Sequence, residues 1–244
     1  MTGLCSAGDL FNSRFSINVN TLNAGIKMVE DLASSFEKVF LIEGNHDTYY
    51  KNSNSVNSVN FLQKIGKNDN IFTVDEEPMF LKIGDKTFGL YPWAFMPEDT
   101  EKIPGFKTPD FGFGHFELNG VEQSGSRLSS GNKHGLHEML ALGDMLFSGH
   151  YHINKMYKDF STGGLLYMVG SPLQLDWGDF GKEKKIVILD TSDGTMKEVT
   201  NDVNAEFKKV FYSDMETGKL DSKRTEEDML PQLCQVCHRQ AVQL

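Results

Sequence analysis

Hydrophobic residues recur at helical spacing in two stretches of the chain, residues 21–36 and residues 55–65. Within each stretch the apolar side chains stand three or four residues apart, which places them on one face of a helix. These residues are Leu22, Ile26, Val29, Leu32 and Phe36 in the first stretch and Val56, Val59, Leu62 and Ile65 in the second. The pattern predicts two amphipathic helices, and a shorter helix is predicted over residues 136–142.

Short apolar runs bounded by turn-forming residues alternate with these helices, and they predict strands. The runs lie at residues 39–42, 71–74, 79–83, 87–91, 110–113, 144–148, 165–169, 186–189 and 196–199. Gly84-Asp85 and Asp193-Gly194 stand between consecutive runs and predict hairpin turns. Two long helices followed mostly by strands favour an α/β fold in which helices flank a two-sheet β-sandwich.

The length of 244 residues suits one large domain, which we assign to residues 1–205. Residues 206–244 are charged and carry little periodic apolar signal, so we expect a tail that is partly disordered or the remnant of a truncated C-terminal region. No apolar run approaches the length of a membrane span. Three cysteines and a short, polar N-terminus suit the reducing cytoplasm better than export.

The formal net charge of −10 argues against a basic footprint for nucleic acid on the isolated chain. Two considerations reduce the weight of that objection. Carboxylates that hold metal ions count as negative in the sequence although the ion offsets their charge. A partner subunit can also supply a basic surface, so the charge leaves catalysis on nucleic acid open.

Metal-capable side chains follow the predicted strand ends in a regular manner. In open α/β sheets ligands bind at the carboxyl ends of the strands, where the loops converge. Oxygen and nitrogen donors of Asp, Asn and His are suitable ligands for a pair of divalent metals. A single histidine in such a place is more often structural, but the full set predicts a binuclear metal hydrolase. Its members lie in Gly8-Asp9, Gly44-Asn45-His46-Asp47, Gly114-His115 and Gly149-His150-Tyr151-His152.

Three other features allow a functional interpretation beside a structural one. Trp93, after Pro92, is expected to be a packed surface aromatic. His134 and His137 have a spacing that can bind metal on a helix, but surface histidines are the favoured interpretation. The segment 234–238, with Cys234, Cys237 and His238, matches a haem-attachment signature. A half zinc site is an alternative to haem there, and chance is favoured over both.

The motifs Gly-Asp, Gly-Asn-His-Asp, Gly-His and Gly-His-x-His, in this order, resemble those of the calcineurin-like metallophosphoesterases. Within that family, residues 8–14 and 170–175 are similar to the SbcD-type nuclease subunit. Residues 114–120, Gly-His-Phe-Glu-Leu-Asn-Gly, are similar to its phage form, a recombination endonuclease subunit. The resemblance covers roughly residues 6–200 and implies the four-layer αββα sandwich of the family.

The resemblance also implies a role for each residue of the motifs. Asp9 matches the carboxylate that bridges two metals, which are Mn²⁺ in the family, with Mg²⁺ as an alternative. Asn45, His115 and His150 would complete the shell of one metal with Asp9, and His152 would bind the other. His46 would face the phosphate to stabilise developing charge or protonate the leaving group. Asp47 would orient the His46 imidazole.

One departure from the family affects the expected metal content. Family members normally carry an Asp-x-His motif upstream of Gly-Asp, and no such motif precedes Gly8-Asp9. We therefore expect an N-terminally truncated chain with one complete metal site and a second site that is half built. The C-terminal capping region of the family is not evident either.

The function implied by the resemblance is metal-dependent hydrolysis of DNA phosphodiesters in recombination, repair or replication. Its implied partners are DNA, an SbcC-like coiled-coil ATPase and a second copy of the chain, in the cytoplasm of the cell or of the phage host. One alternative is a phosphodiesterase or phosphatase with another substrate. The other is a scaffold subunit that binds metal and does not cut.

Overall fold

The computed structural model describes residues 2–51, 53–66, 68–123, 128–130, 134–203 and 207. The helices are α1 (Val19–Ser35), α2 (Ser58–Gly66) and α3 (Leu136–Met139), with 3-10 turns at Pro97–Lys102, Leu140–Leu142 and Trp177–Asp179. The strands are β1 (Gly3–Ser6), β2 (Lys38–Ile42), β3 (Thr48–Tyr50), β4 (Ser53–Asn57), β5 (Ile71–Val74), β6 (Met79–Ile83), β7 (Lys86–Leu90), β8 (Phe111–Gly114), β9 (Met145–Ser148), β10 (Lys155–Lys158), β11 (Leu165–Met168), β12 (Lys185–Leu189) and β13 (Met196–Thr200).

Two sheets carry the architecture. The first is a three-stranded parallel sheet in the order β1-β2-β5. The second has six strands in the order β10-β11-β9-β8-β7-β6, parallel from β11 to β7 and antiparallel at both edges. Smaller antiparallel pairs are formed by β3 with β4 and by β12 with β13.

The two sheets pack face to face, and helices cover their outer faces. Because side chains alternate across a strand, Phe40 and Ile42 of β2 enter the core between the sheets, whereas Val39 and Leu41 pack under α1 and α2. On the far side of the second sheet, Met139 of α3 packs with residues of β9 and β11. The structure therefore confirms the α/β sandwich of two sheets flanked by helices.

Tertiary pairing moves the start of the second predicted helix. The pattern predicted a helix over residues 55–65, but α2 begins at Ser58 because the preceding residues pair with β3. The edge strand β10 was not predicted, since Lys155 and Lys158 interrupt its apolar signal. The hairpin turns at Gly84-Asp85 and Asp193-Gly194 are confirmed by the antiparallel pairs that they join.

Two predictions concern residues that are largely outside the described part of the chain. The tail assigned to residues 206–244 is represented by Phe207 alone, and the Cys234, Cys237 and His238 segment lies beyond it. Among the described helices, none combines the length and the apolar character that crossing a membrane requires.

Candidate metal centre

Four strands of the two sheets end at one place, and each is followed by one donor side chain. Asp9 follows β1, Asn45 follows β2, His115 follows β8 and His150 follows β9. Nε2 of His115 lies 3.2 Å from Oδ2 of Asp9, 3.0 Å from Oδ1 of Asn45 and 3.2 Å from Nδ1 of His150. Nδ1 of His150 lies 3.1 Å from the same Asn45 oxygen. Four of the predicted metal ligands thus converge.

The spacing of these four atoms fits a shared cation. Donors about 2.1 Å from one metal stand roughly 3.0–3.4 Å apart in octahedral or tetrahedral geometry, and the observed separations lie between 3.0 and 3.2 Å. Among the described residues, no group of three or more His, Cys, Asp and Glu side chains is arranged to hold a metal ion. The cluster is a four-donor set because the Asn45 amide oxygen belongs to it.

A backbone carbonyl fixes the orientation of the central imidazole. Nδ1 of His115 lies 2.7 Å from the carbonyl oxygen of Ala7, which can only accept a hydrogen bond, so the ring proton resides on Nδ1. In the neutral ring, Nε2 presents a lone pair towards Asp9, Asn45 and His150, and these lone pairs repel each other unless a cation or a proton lies between them. Without metal, a proton on Nε2 forms the hydrogen bond to Asp9, and a divalent cation would replace it. The His115 side chain is 1% exposed, so solvent does little to screen that repulsion.

The protonation states of the other two ligands suit metal binding. Burial, followed by the nearby charge of His115, lowers the pKa of His150 to about 4, so its imidazole is neutral at pH 7. Burial alone would raise the pKa of Asp9, but its hydrogen bond to His115 and the charge of that ring hold the pKa below the usual value. Both residues adopt positive φ, 57° for Asp9 and 64° for His150, a conformation that non-glycine residues rarely adopt.

Glycines before the ligands allow the loops to approach one another closely. A Cβ on Gly44 would lie 2.3 Å from the backbone nitrogen and from Oδ1 of Asp9. A Cβ on Gly149 would lie 2.1 Å from the Ala7 carbonyl oxygen. Gly44 and Gly149, which precede Asn45 and His150, are therefore required by contact between loops, which the sequence motif alone did not show.

Replacing Gly44 by alanine is expected to lower the free energy of unfolding by roughly 1–3 kcal/mol, because the added methyl group displaces the Asp9 loop. Chemical denaturation measures this change. Gly3→Ala is the matched control, since its Cβ would meet only the Lys38 carbonyl at 3.7 Å. Equal stabilities for the two variants would contradict the close approach.

His46 and Asp47 lie beside the cluster, but their contacts differ from the prediction. The role predicted for Asp47, orienting His46, stays a prediction, since the hydrogen bonds of Asp47 go to other groups. Its buried carboxylate accepts hydrogen bonds from the backbone N–H groups of Leu10, Phe11 and Gly44 and from the Ser58 hydroxyl. The imidazole of His46 is instead held at Nδ1 by the Asn12 carbonyl at 2.7 Å. Asp47 therefore joins the Asp9 loop to the Asn45 loop, and Asn12 orients His46.

His152 is the predicted ligand that the structure does not bring into the cluster. Among the described residues its ring forms no hydrogen bond with the four donors, although it is near enough to affect the pKa of His150. Its carbonyl accepts a 2.7 Å hydrogen bond from Nζ of Lys184. The same ammonium donates to Oδ1 of Asp179 at 2.7 Å and to Oγ of Ser171 at 2.9 Å. A buried ion pair therefore fixes the loop that carries His152.

Sequence reasoning missed two side chains at the centre. The ring of Trp93, expected to be a surface aromatic, lies 5.6 Å from that of His115 and 5.5 Å from that of His150. Arg14 donates to the Asn45 carbonyl and fixes the backbone of that ligand. Arg14 belongs to the segment 8–14 that carried the family resemblance, whereas Trp93 was noted in the sequence but interpreted as structural.

The pair His134 and His137 does not form one site in the structure. His134 lies 3.0 Å from a carboxylate oxygen of Glu98, and His137 lies 2.9 Å from one of Asp159. Because the two imidazoles contact different carboxylates, their spacing in the sequence has no counterpart in a shared ligand set.

An unpaired carboxyl group lies behind the cluster. Glu43 is fully buried, and within the described residues neither of its oxygens has a hydrogen-bond partner. Burial, with the nearby carboxylates of Asp75, Asp47 and Glu76, raises its pKa to about 9. Glu43 is therefore protonated at neutral pH, and it retains in the folded state a proton that the unfolded chain releases.

Replacing Glu43 by glutamine is expected to stabilise the metal-free protein by on the order of 2 kcal/mol at pH 7. Below the unfolded pKa of 4.5 both states are protonated and Glu43 contributes no pH dependence. Above that value the wild type loses stability as pH rises towards the folded pKa, and the variant does not. Urea denaturation in EDTA between pH 5 and 8 measures the difference, which should widen with pH; a constant difference would contradict it.

Comparison with known proteins gives one relative of informative similarity. No family model matches the chain. Exonuclease subunit 1 of Enterobacteria phage T4 is 28% identical over 187 residues, which cover 75% of this chain and 51% of the relative. The chain thus spans about half the length of the curated relative that it matches.

The solved structures found by comparison resemble this chain only weakly. An archaeal phosphodiesterase has a TM-score of 0.41 and 15% identity, covering 82% of this chain and 83% of that one. Wild-type Vps29 from Entamoeba histolytica, complexed with Zn²⁺, has a TM-score of 0.35 and 14% identity, covering 84% and 100%. At TM-scores this low, these likenesses add nothing to the fold described above.

Proposed function

We propose that the chain is a metallophosphoesterase, a divalent-metal-dependent hydrolase of phosphodiesters, and that its substrate is DNA. The observation that carries this proposal is the convergence of the donor atoms of Asp9, Asn45, His115 and His150. They come from four strand ends and lie 3.0–3.2 Å from their neighbours in the set. A divalent cation held there supplies Lewis-acid stabilisation of the charge that develops on a phosphate group.

The other residues of the centre would orient the metal-binding groups and transfer protons. Nδ1 of His46 donates its proton to the Asn12 carbonyl, so Nε2 is the ring atom that can take up a second proton and pass it to a leaving oxygen. The backbone N–H of His46 also donates to Oδ1 of Asp9 at 2.8 Å, so the acid and the metal-binding carboxylate keep a fixed relation. Asp47, through its four hydrogen bonds, holds both loops in that relation.

The proposed substrate and partners are inferred from the similarity to the T4 relative. That protein is named an exonuclease subunit, which supports DNA as the substrate and a multi-subunit assembly. We propose Mn²⁺ as the metal, with Mg²⁺ as an alternative, and a coiled-coil ATPase of the SbcC type and a second copy of the chain as partners. A basic partner surface would compensate for the net charge of −10. The proposed location is the cytoplasm.

A second candidate function is a scaffold subunit that binds one metal and does not cut. It is favoured by His152, whose ring does not join the four donors and so leaves a second metal without an evident ligand set among the described residues. Native mass spectrometry with Mn²⁺ counts the ions per chain. We expect one ion, and two ions would show that further residues complete the second site.

Hydrolysis of a labelled oligonucleotide in Mn²⁺ tests the main proposal. We expect cleavage that EDTA abolishes, and we expect His115→Ala to abolish it as well. His137→Ala is the matched control, because that exposed imidazole contacts Asp159 away from the centre. Cleavage that survives His115→Ala would overturn the assignment of the centre. One bound ion without any cleavage would favour the scaffold, and faster hydrolysis of small diesters than of DNA would favour another phosphodiesterase.

A further inference from the structure

We propose that Phe15, Tyr49 and Tyr50 form a stacking platform for the unpaired bases of a nucleic-acid strand that enters the metal centre. This aromatic platform is unusually open to solvent: Phe15 is 71% exposed, Tyr49 46% and Tyr50 49%. Tyr49 contacts both other rings edge to face, at centroid distances of 6.0 Å for Phe15 and 4.9 Å for Tyr50. They belong to none of the hydrophobic core clusters.

The platform is built from the same two loops that carry the proposed metal ligands. Tyr49 and Tyr50 lie on β3, which begins directly after Asp47. Phe15 follows Arg14, whose guanidinium donates to the carbonyl of Asn45. Asp47 joins the backbones of these segments through the N–H groups of Leu10 and Phe11. The platform is therefore attached to the segments that carry Asp9 and Asn45.

The local charge favours a polyanionic occupant. The chain contains 34 acidic residues, yet residues 10–29 and residues 48–68 contain no Asp or Glu. Arg14 and Lys51, which adjoin Phe15 and Tyr50 in the chain, are the charged residues next to the platform on these segments. They would offer cationic groups to a phosphate backbone despite the net charge of −10.

The combination of exposed rings with basic residues matches the chemistry of single-stranded nucleic-acid recognition. Proteins that bind single strands without sequence preference combine cationic side chains with aromatic rings on which successive bases stack. Paired bases inside a duplex do not offer their faces to such rings. The occupant that fits is therefore an unpaired strand or a frayed end, which deepens the proposed function by specifying the form of its substrate. The inference rests on that function for the chemistry at the centre.

Binding of a fluorescein-labelled oligodeoxythymidine, measured by anisotropy in EDTA, tests the platform without hydrolysis. We expect Tyr49→Ala and Phe15→Ala each to weaken single-strand binding by on the order of tenfold, and Tyr49→Phe to bind like the wild type because it keeps the ring. Phe160→Ala, at a residue that is 93% exposed, is the matched control and should have no effect. Binding of a blunt duplex should change little in any variant.

Several outcomes would overturn the inference. Wild-type affinity in both alanine variants, or equal losses for single strand and duplex, would exclude base stacking. Unchanged DNA affinity with altered self-association in sedimentation would assign the rings to a protein contact. Since binding is measured without metal, the two proposals fail separately. If the platform variants bind single strands normally and the protein cleaves DNA, only the platform is excluded. If the platform variants bind single strands weakly but the wild-type protein does not cleave DNA, only the proposed function is excluded.

Discussion

Alanine in place of Asn45 is expected to lower the affinity for Mn²⁺ by on the order of 100-fold or more. The amide oxygen of Asn45 is the donor that contacts both histidines of the cluster, at 3.0 Å from His115 and 3.1 Å from His150. Removing it leaves donors that do not by themselves form a ready site. Isothermal titration of the metal-free protein with Mn²⁺ measures the change.

Two further variants sharpen the Asn45 experiment. Asn45→Asp keeps an oxygen at the same position and should retain metal binding. Asn23→Ala removes an exposed amide from α1 and should leave the titration unchanged. An Asn45→Ala protein that is folded by circular dichroism and still binds Mn²⁺ like the wild type would show that the cluster is not the metal site.

Replacing Lys184 by methionine is expected to lower the free energy of unfolding by about 3–5 kcal/mol, because it leaves a buried carboxylate without its partner. The side chains of Lys184 and Asp179 are 3% and 1% exposed, and their ion pair measures 2.7 Å. The substitution also removes donors from the His152 carbonyl and from the Ser171 hydroxyl. Urea denaturation with the same readout as for the wild type measures the loss.

A second lysine provides the control for Lys184. Lys185 forms an ion pair of the same length, 2.7 Å with Glu198, but its side chain is 25% exposed and that of Glu198 is 40% exposed. Such a surface pair contributes about 0–1 kcal/mol, so Lys185→Met should have a small effect. The double variant Lys184→Met with Asp179→Leu should recover part of the lost stability, since no unpaired charge remains. Equal losses for Lys184→Met and Lys185→Met would contradict this account.

The sheets of the fold were predictable because their apolar signal is local. β2 is buried on both faces and therefore appears in the sequence as a continuous apolar run, residues 39–42, that ends just before Glu43 and Gly44. The ribbon of β3 and β4 was not predictable in this way. Its residues are polar or partly exposed, and it exists because the backbone of Thr48 pairs with that of Asn57, an interaction without a side-chain pattern.

The convergence of the four proposed metal ligands was predictable from the sequence, but the groups that support them were not. Asp9, Asn45, His115 and His150 follow strand ends, so motif order and sheet topology bring them together. The positions of His152 and Trp93 depend on how their loops pack, which periodicity does not report. The partners of Asp47 are backbone N–H groups, and every residue except proline carries one, so no residue type in the sequence identifies them.

The positive φ angles of Asp9 and His150 carry an evolutionary consequence. At each position glycine would relieve a backbone cost of order 1 kcal/mol, so selection for stability alone would replace both residues. The positive-φ backbone cost at both positions is offset by the function proposed for the two side chains, which lie in one cluster. Stability and activity are thus opposed at these two positions. A search for more thermostable variants that screens only for folding would favour the substitutions Asp9→Gly and His150→Gly and would discard two of the four proposed ligands.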